Sequence, residues 1–338
     1  MKLKKTLSLF TSLLMLLCLF STINIKEVSA ATINYYVAPN GSDSNVGTSK
    51  TKPFKTIAKA VSQAKSGSTI YLASGTYNVT STIKLDKSNS SSAYITIKPL
   101  SGTPVIDFSN QPYADSSRGF QISGSYYKIS GLKIVGAGDN GIYISGKNNK
   151  IEKCTITKCR DTGLQISNGG ANNTISNVTS TYNYDPKTKG ENADGFAAKL
   201  SIGSGNVFKN CYAYYNSDDG FDFYDAKNAV KLYDCEASYN GVDEGNGNGF
   251  KIGGNYSADK HYLERCKAVG NTLRGYDQNN NTGALTLVDC SASSNYVNYY
   301  FKKAPTSGSH SFKNCTSTDS KNKDVITGAK TSGCSFIQ

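Results

Sequence analysis

Asp194, Asp218, Asp219 and Asp222 precede Lys251 in a stretch otherwise rich in Gly, Asn and aromatic residues. Carboxylates gathered in one place repel one another and raise each other's proton affinity, and a bound cation relieves this. A donor set made only of oxygens favours calcium over zinc or iron. Asp218-Asp219-x-x-Asp222 lacks the spacing of a helix-loop-helix calcium loop, so the site would belong to a strand and its turn. The plainer alternative is a set of acidic turn residues in a solvated loop, since Asp is common at turns. Lys251 admits two readings as well. It can be an ion-pair partner of Asp222 or Asp277, or it can be a base, because an ammonium beside a divalent cation loses proton affinity.

What would gather these side chains is a repeat. Cys211, Cys235, Cys266, Cys290 and Cys315 follow one another at intervals of 24, 31, 24 and 25 residues. Each closes a similar tetrapeptide, from Phe208-Lys209-Asn210-Cys211 to Phe312-Lys313-Asn314-Cys315. An asparagine stands five residues after four of them, at Asn216, Asn240, Asn271 and Asn295, and Asn183 takes the same place after Val178. A Gly-aromatic step comes next: Gly195-Phe196, Gly220-Phe221, Gly249-Phe250 and Gly275-Tyr276. Between these marks apolar and polar residues alternate, as in Tyr126-Tyr127-Lys128-Ile129, which marks half-buried strands. Short strands, Gly/Asn turns and a period near 24 describe an all-β solenoid, a parallel β-helix. Like residues stack between coils at about 4.8 Å. Aligned on the Gly-aromatic step, the aromatic points inward and its successor outward. One outer face then carries Asp194, Asp219, Asp222, Lys251, Arg274 and Asp277, with Asp218 at the adjoining turn and Lys251 one coil above Asp222.

The same stacking assigns the asparagines to a hydrogen-bonded ladder inside a turn and the cysteines to a buried apolar ladder rather than to bridges. Cys154 and Cys159, five apart, find no place in this scheme. Pro53-Phe54 opens an amphipathic stretch with Phe54, Ile57, Ala60, Val61 and Ala64 on one face, a helix able to cap the open end of a solenoid. The Lys/Ser/Thr-rich tail after Cys315 is expected to close the other end irregularly.

Lys2, Lys4 and Lys5, the apolar run Leu7 to Phe20 and the small residues Val28-Ser29-Ala30 read as a secretory leader over residues 1–30, too short in its apolar part to be an anchor. Residues 31–338 are then a single secreted catalytic domain, outside the cell. The formal charge is +12. The leader carries Lys2, Lys4, Lys5 and Lys26 against Glu27, so +9 remains without it. A basic extracellular protein suits an acidic polysaccharide better than nucleic acid or a membrane. A uronate chain gives the cation and the lysine matching tasks: the metal binds the C6 carboxylate and acidifies the C5 proton, the lysine removes that proton, and the glycosidic oxygen at C4 leaves. Trp is absent, so the 23 tyrosines must supply any stacking on sugar rings.

Three stretches carry a resemblance. Asn192-Ala193-Asp194-Gly195-Phe196, Asn216-Ser217-Asp218-Asp219-Gly220-Phe221-Asp222 and Gly247-Asn248-Gly249-Phe250-Lys251-Ile252-Gly253-Gly254 look like the core of polysaccharide lyase family 9. The opening Tyr35-Tyr36-Val37-Ala38-Pro39-Asn40-Gly41-Ser42-Asp43 is similar too, though other β-helix proteins share it. The resemblance implies a right-handed β-helix of about ten coils, calcium held by Asp194, Asp218, Asp219 and Asp222, and Lys251 as the Brønsted base. It implies pectate, or in the same family rhamnogalacturonan, as substrate; the +9 charge suits a uniformly anionic chain and so favours pectate, with the protein acting as a monomer. Gly275-Tyr276-Asp277-Gln278-Asn279 after Arg274 is also family-like, and Arg274 and Asp277 become candidate substrate-binding residues. A β-helix glycoside hydrolase would need a carboxylic acid pair and would leave the lysine unexplained. A non-catalytic sugar-binding protein would leave the carboxylates beside Lys251 without a purpose.

Overall fold

The computed structural model describes residues 32–90 and 93–337; the expected leader lies outside them. The described residues from Ile33 on form one compact unit. Three sheets run the length of a parallel β-helix. A 12-stranded sheet runs from Asn34–Val37 to Ala329–Ser332, and a ten-stranded sheet from Thr76–Asn78 to Thr316–Thr318. The third, from Ile83–Leu85 to Val325–Ile326, is the site sheet and also has ten strands. One coil shows the path: Phe221–Asp222 in the site sheet, Lys231–Tyr233 in the 12-stranded sheet, Glu236–Ser238 in the other, then Phe250–Lys251 back in the site sheet. Each strand pairs in parallel with its counterpart one coil on.

The repeat in the sequence is this coil. Phe196, Phe221, Phe250, Tyr276 and Tyr299 stack inside with ring centroids 4.9, 4.9, 5.0 and 5.0 Å apart, close to the strand spacing. Gly220 precedes its aromatic because a Cβ there would lie 2.6 Å from the carbonyl oxygen of Gly249 in the next coil. The asparagine ladder is continuous: amide nitrogens of Asn183, Asn216, Asn240 and Asn271 donate to the side-chain oxygen of the next asparagine at 2.8 to 2.9 Å. The eight described cysteines are free thiols, buried from Cys154 to Cys315, with Cys334 partly exposed.

The two unplaced cysteines fall into these ladders. Thr155 pairs with Thr179 and Thr179 with Tyr212, so Cys154, Val178 and Cys211 share one column. The Cys159 backbone N–H donates to Asn183 Oδ1 at 3.0 Å, as that of Asn183 does to Asn216. Cys159 therefore starts the asparagine column, and its distance of five from Cys154 is the repeat's own spacing. A second ladder, Asn149, Asn173 and Asn206, precedes the strands of the 12-stranded sheet.

The capping helix spans Ile57–Gln63, starting later than the amphipathic pattern because Thr56 is the N-cap, its hydroxyl accepting from the Lys59 N–H. Phe54 lies outside it, bridged to Val37 and buried. Lys87 Nζ donates to the carbonyls of Val61, Ser62 and Ala64 and so satisfies the helix end. The tail departs from the irregular closure expected of it. Thr316–Thr318, Val325–Ile326 and Ala329–Ser332 add a strand to each sheet, and Phe336 packs on Tyr299 and Phe312 as the final plug. Short polar strands form here because the preceding coil supplies a complete hydrogen-bonding edge.

Candidate active site

Strand pairing places the chemistry in columns on the outer face of the site sheet. Tyr143, Gln165, Ala197, Asp222, Lys251, Asp277 and Tyr300 follow one another, one per coil. The residue before each glycine makes a parallel column, Asn140, Thr162, Asp194, Asp219, Asn248 and Arg274, each carbonyl accepting from the glycine of the coil before. Lys251 thus lies one coil above Asp222, as the register required.

This face is far less exposed than an open surface. Asp194 and Asp219 are fully buried, and Asp218 and Asp222 nearly so. One carboxylate oxygen each of Asp194, Asp219 and Asp222 lies within 4.8 Å of the others. Asp218 stands beside this trio with both oxygens engaged by backbone N–H groups, of Asn192 at 2.9 Å and of Asn246 at 3.1 Å. Burial, then the charge of Asp219, pushes its carboxyl up to about 7.

Lys251 Nζ sits 3.1 Å from Asp219 Oδ2 and 3.7 Å from Asp222 Oδ2. Its pairing with Asp222 was foreseen; that with Asp219 was not, and Asp277 is engaged elsewhere. Asp277 accepts from Arg274 Nη1 at 2.6 Å, and that guanidinium lies over the Tyr300 ring, 3.8 Å from its centroid. Arg274 and Asp277 border a small cleft of about 170 Å³ with Gln278, Asn279, Asn280, Tyr300 and Lys302.

Three residues missed by sequence reasoning complete the cluster. Lys199, almost fully buried, bridges Asp194 Oδ2 at 2.7 Å and Asp222 Oδ2 at 3.2 Å. Asn248 donates its backbone and side-chain N–H groups to Asp219 Oδ1 at 2.8 and 2.7 Å. Thr162 Oγ1 donates to Asp194 Oδ2 at 3.0 Å. Asn248 and Thr162 occupy the pre-glycine column, so the repeat held that signal. Lys199 follows the strand into a turn of varying length and breaks no pattern.

The electrostatics follow from burial opposed by pairing. Burial holds the Asp194 carboxyl well above its ordinary value, with Lys199 offsetting part of the effect. Burial also pushes Asp222 up, but Lys251 and Lys199 outweigh it and hold this carboxyl low. For Lys251 burial disfavours the ammonium, yet Asp219 and Asp222 prevail and raise its proton affinity. Asp219 Oδ2 is enclosed and accepts no hydrogen bond of ordinary geometry, with the Lys251 ammonium 3.1 Å away as its ion-pair partner. An all-oxygen donor set with one such atom fits a hard divalent cation.

The Pel9A-like family, described as a right-handed β-helix region, matches residues 35–322. The chain belongs to that family. Among curated relatives, Pectate lyase L of Dickeya chrysanthemi is 37% identical, covering 90% of this chain and 77% of the relative. Pectate lyase L of Paenibacillus polymyxa (strain SC2) is 40% identical, covering 89% and 71%. Among solved structures, pectate lyase Pel9A superposes with a TM-score of 0.84 at 38% identity, covering 88% of this chain and 78% of that one. A rhamnogalacturonan lyase superposes with a TM-score of 0.77 at 27% identity, covering 88% and 84%. Family membership fixes the hand of the helix. Among the described residues no helix is long and apolar enough to cross a membrane.

Proposed function

We propose that the chain is a pectate lyase that cleaves galacturonan by β-elimination with Lys251 as the base and calcium as the cofactor. The observation that carries this reading is the position of Lys251 Nζ against the buried carboxylates, 3.1 Å from the hydrogen-bond-free oxygen of Asp219. The relatives named for pectate at 37 and 40% identity support the substrate, against 27% for the rhamnogalacturonan lyase. Rhamnogalacturonan is the second reading, favoured by that structure's TM-score of 0.77.

In this reading Asp194, Asp219 and Asp222 hold calcium, with Asp218 beside them, either as a further ligand or fixing the loops at Asn192 and Asn246. Bound calcium supplies positive charge that draws in the C6 carboxylate and acidifies the C5 proton. The residues do the rest. Lys251 Nζ, in its free-amine form, takes the C5 proton; the electron pair forms the C4–C5 double bond, the C4–O4 bond breaks, and the leaving oxygen takes a proton from solvent. Lys199 keeps Asp194 and Asp222 in register without facing the substrate. Arg274, fixed by Asp277 and Tyr300, has guanidinium donors left to grip a substrate carboxylate. The leader expected over residues 1–30 would carry the enzyme, acting as a monomer, outside the cell, where plant cell-wall pectin is found.

The test is polygalacturonate beside rhamnogalacturonan, each with and without calcium, read by the ultraviolet absorbance of unsaturated product. Calcium-dependent absorbance on polygalacturonate is expected. Saturated ends without absorbance would mean hydrolysis, and absorbance on rhamnogalacturonan alone would select the second reading.

A further inference from the structure

At the other end of the site sheet the Arg274 arrangement occurs again. Arg118 precedes Gly119 as Arg274 precedes Gly275, and Gly119 donates to Asn140 as Gly249 does to Arg274, so both arginines belong to the pre-glycine column. The Arg118 guanidinium lies 3.5 Å from the centroid of the Tyr143 ring. Tyr143 occupies the outward column one coil on, as Tyr300 does relative to Arg274. Each arginine is tied to one buried aspartate, Arg118 Nε to Asp139 Oδ2 at 3.3 Å and Arg274 Nη1 to Asp277 Oδ2 at 2.6 Å. Burial raises both acids; at Asp139 burial and then Asp161 push the carboxyl up to about 7, which weakens its hold on the guanidinium charge. Among the described residues neither Nη group of Arg118 has a hydrogen-bond acceptor, and its side chain is 22% exposed.

Between this end and the carboxylates the outward column reads Tyr143, Gln165 and Ala197, uncharged and ending small beside Asp222. These three side chains are themselves buried, so a sugar chain running along the helix axis would be held at charged points beyond this lane rather than by the lane itself. A wall borders it where Lys187 N–H and Asp185 meet the Tyr113 hydroxyl across three coils.

We propose that Arg118, held flat on Tyr143, is a distal subsite that takes a uronate carboxylate of the same polysaccharide bound at the reaction centre. The subsite rests on the uronate-lyase reading and extends it. Four strand spacings of about 4.8 Å separate Arg118 from Asp219, so the bound carboxylate lies about 19 Å along the lane. The two platforms would thus frame the reaction centre and select a polyanionic chain over a neutral one. A guanidinium pre-oriented by stacking offers a carboxylate two parallel N–H bonds at little entropic cost.

The experiment uses the full enzyme in a Lys251→Ala background, with calcium, titrated calorimetrically with saturated oligogalacturonates of increasing length. The parent should gain affinity once the oligomer is long enough to reach Arg118, and Arg118→Gln should lose about tenfold of that gain, close to 1.4 kcal/mol. Arg118→Lys, which keeps the charge and the pairing with Asp139, should recover only part and guards against loss of fold, followed by thermal unfolding. Equal affinity of parent and Arg118→Gln for the long oligomers would overturn the subsite while leaving the lyase reading intact. If the Lys251-containing enzyme neither binds nor cleaves any galacturonate, the lyase reading fails and the subsite falls with it.

Discussion

Lys251 Nζ stands 3.1 Å from Asp219 Oδ2, a residue of the preceding coil, and closer to it than to its strand neighbour Asp222 at 3.7 Å. The contact couples the base to the carboxylates. Whatever neutralises Asp219 also loosens the proton on Lys251.

The pH profile should report that coupling. Asp219 and Asp222 hold Lys251 above the ordinary lysine value of about 10.4, so the free amine is scarce at neutral pH. Activity should rise with pH into the alkaline range, and raising calcium should move the rising limb to lower pH, because added positive charge offsets the two carboxylates. Lys251→Ala should lose activity by about a thousandfold or more. Lys251→Arg should be as poor, since a guanidinium does not deprotonate in this range. Appreciable turnover by Lys251→Ala would show that the wrong base is named.

Calcium dependence should be absolute. Chelation should abolish activity and calcium restore it. Asp219→Ala and Asp222→Ala, which remove ligands outright, should each raise the calcium needed for half-maximal activity by more than the about 10- to 100-fold that disturbing a metal's outer shell costs. Asp218→Asn, whose oxygens already accept two backbone N–H bonds, should be milder. Full activity in excess chelator would remove calcium from the mechanism.

What could be read from the sequence is what the coil repeats. Asp222 beneath Lys251, the Phe196 to Tyr299 stack and the asparagine ladder all follow from strand register, because parallel coils bring equal positions together. Cys159 was not placed from the sequence, because a cysteine there hides the asparagine column it starts; its backbone bond to Asn183 reveals the register. Nor was Lys199: it reaches back from beyond its strand, five residues from Asp194, and only side-chain geometry brings it to two carboxylates. Burial of the aspartates was equally hidden, since the covering turns are irregular in length.

Lys199 should be structural in charge rather than catalytic. Lys199→Met leaves Asp194 buried without its counter-charge, a change that costs about 3–5 kcal/mol when a buried pair is broken. Unfolding in chelator should show that loss, and calcium should recover more stability in the variant than in the parent. The parent's acid limb is a sum of opposed parts. Asp222 is held low, so its contribution is present above about pH 4 and is lost as pH falls through its folded value, whereas Asp194 and Asp218 are held high and contribute more as pH falls. Lys199 is held high, so its contribution persists through neutral pH and is lost only as pH rises through its own folded value. Unchanged stability of Lys199→Met in chelator would contradict the bridging role.

Thiol chemistry tests the core. Seven cysteines are buried and free, and Cys334 is partly exposed. Burial pushes the Cys154 and Cys159 thiols up to about 12, so thiolate is scarce as well as hidden. An alkylating reagent should label Cys334 at most in the native enzyme and the other seven after unfolding. Native disulfides seen by mass spectrometry would break the column.

The asparagine ladder should be the most sensitive part of the turn that carries Asp218 and Asp219. Asn240 Nδ2 donates to Asn271 Oδ1 at 2.9 Å and to the Ala213 carbonyl at 3.0 Å. Its own Oδ1 accepts from the Asn216 side chain at 2.9 Å and backbone at 3.1 Å. Asn240→Ala deletes all four bonds inside a fully buried site and strands the Asn216 backbone N–H. Each buried group left unsatisfied costs about 1–3 kcal/mol, so a loss of about 3 kcal/mol is expected in denaturant unfolding at fixed calcium. The consequence should reach the site, because Asn216 stands three residues before Asp219 and its carbonyl accepts from Gly241 at the start of the next loop. The calcium requirement of Asn240→Ala should therefore rise although no ligand has changed. A variant that unfolds like the parent would mean the ladder is a passenger of the packed core rather than a support of the turn.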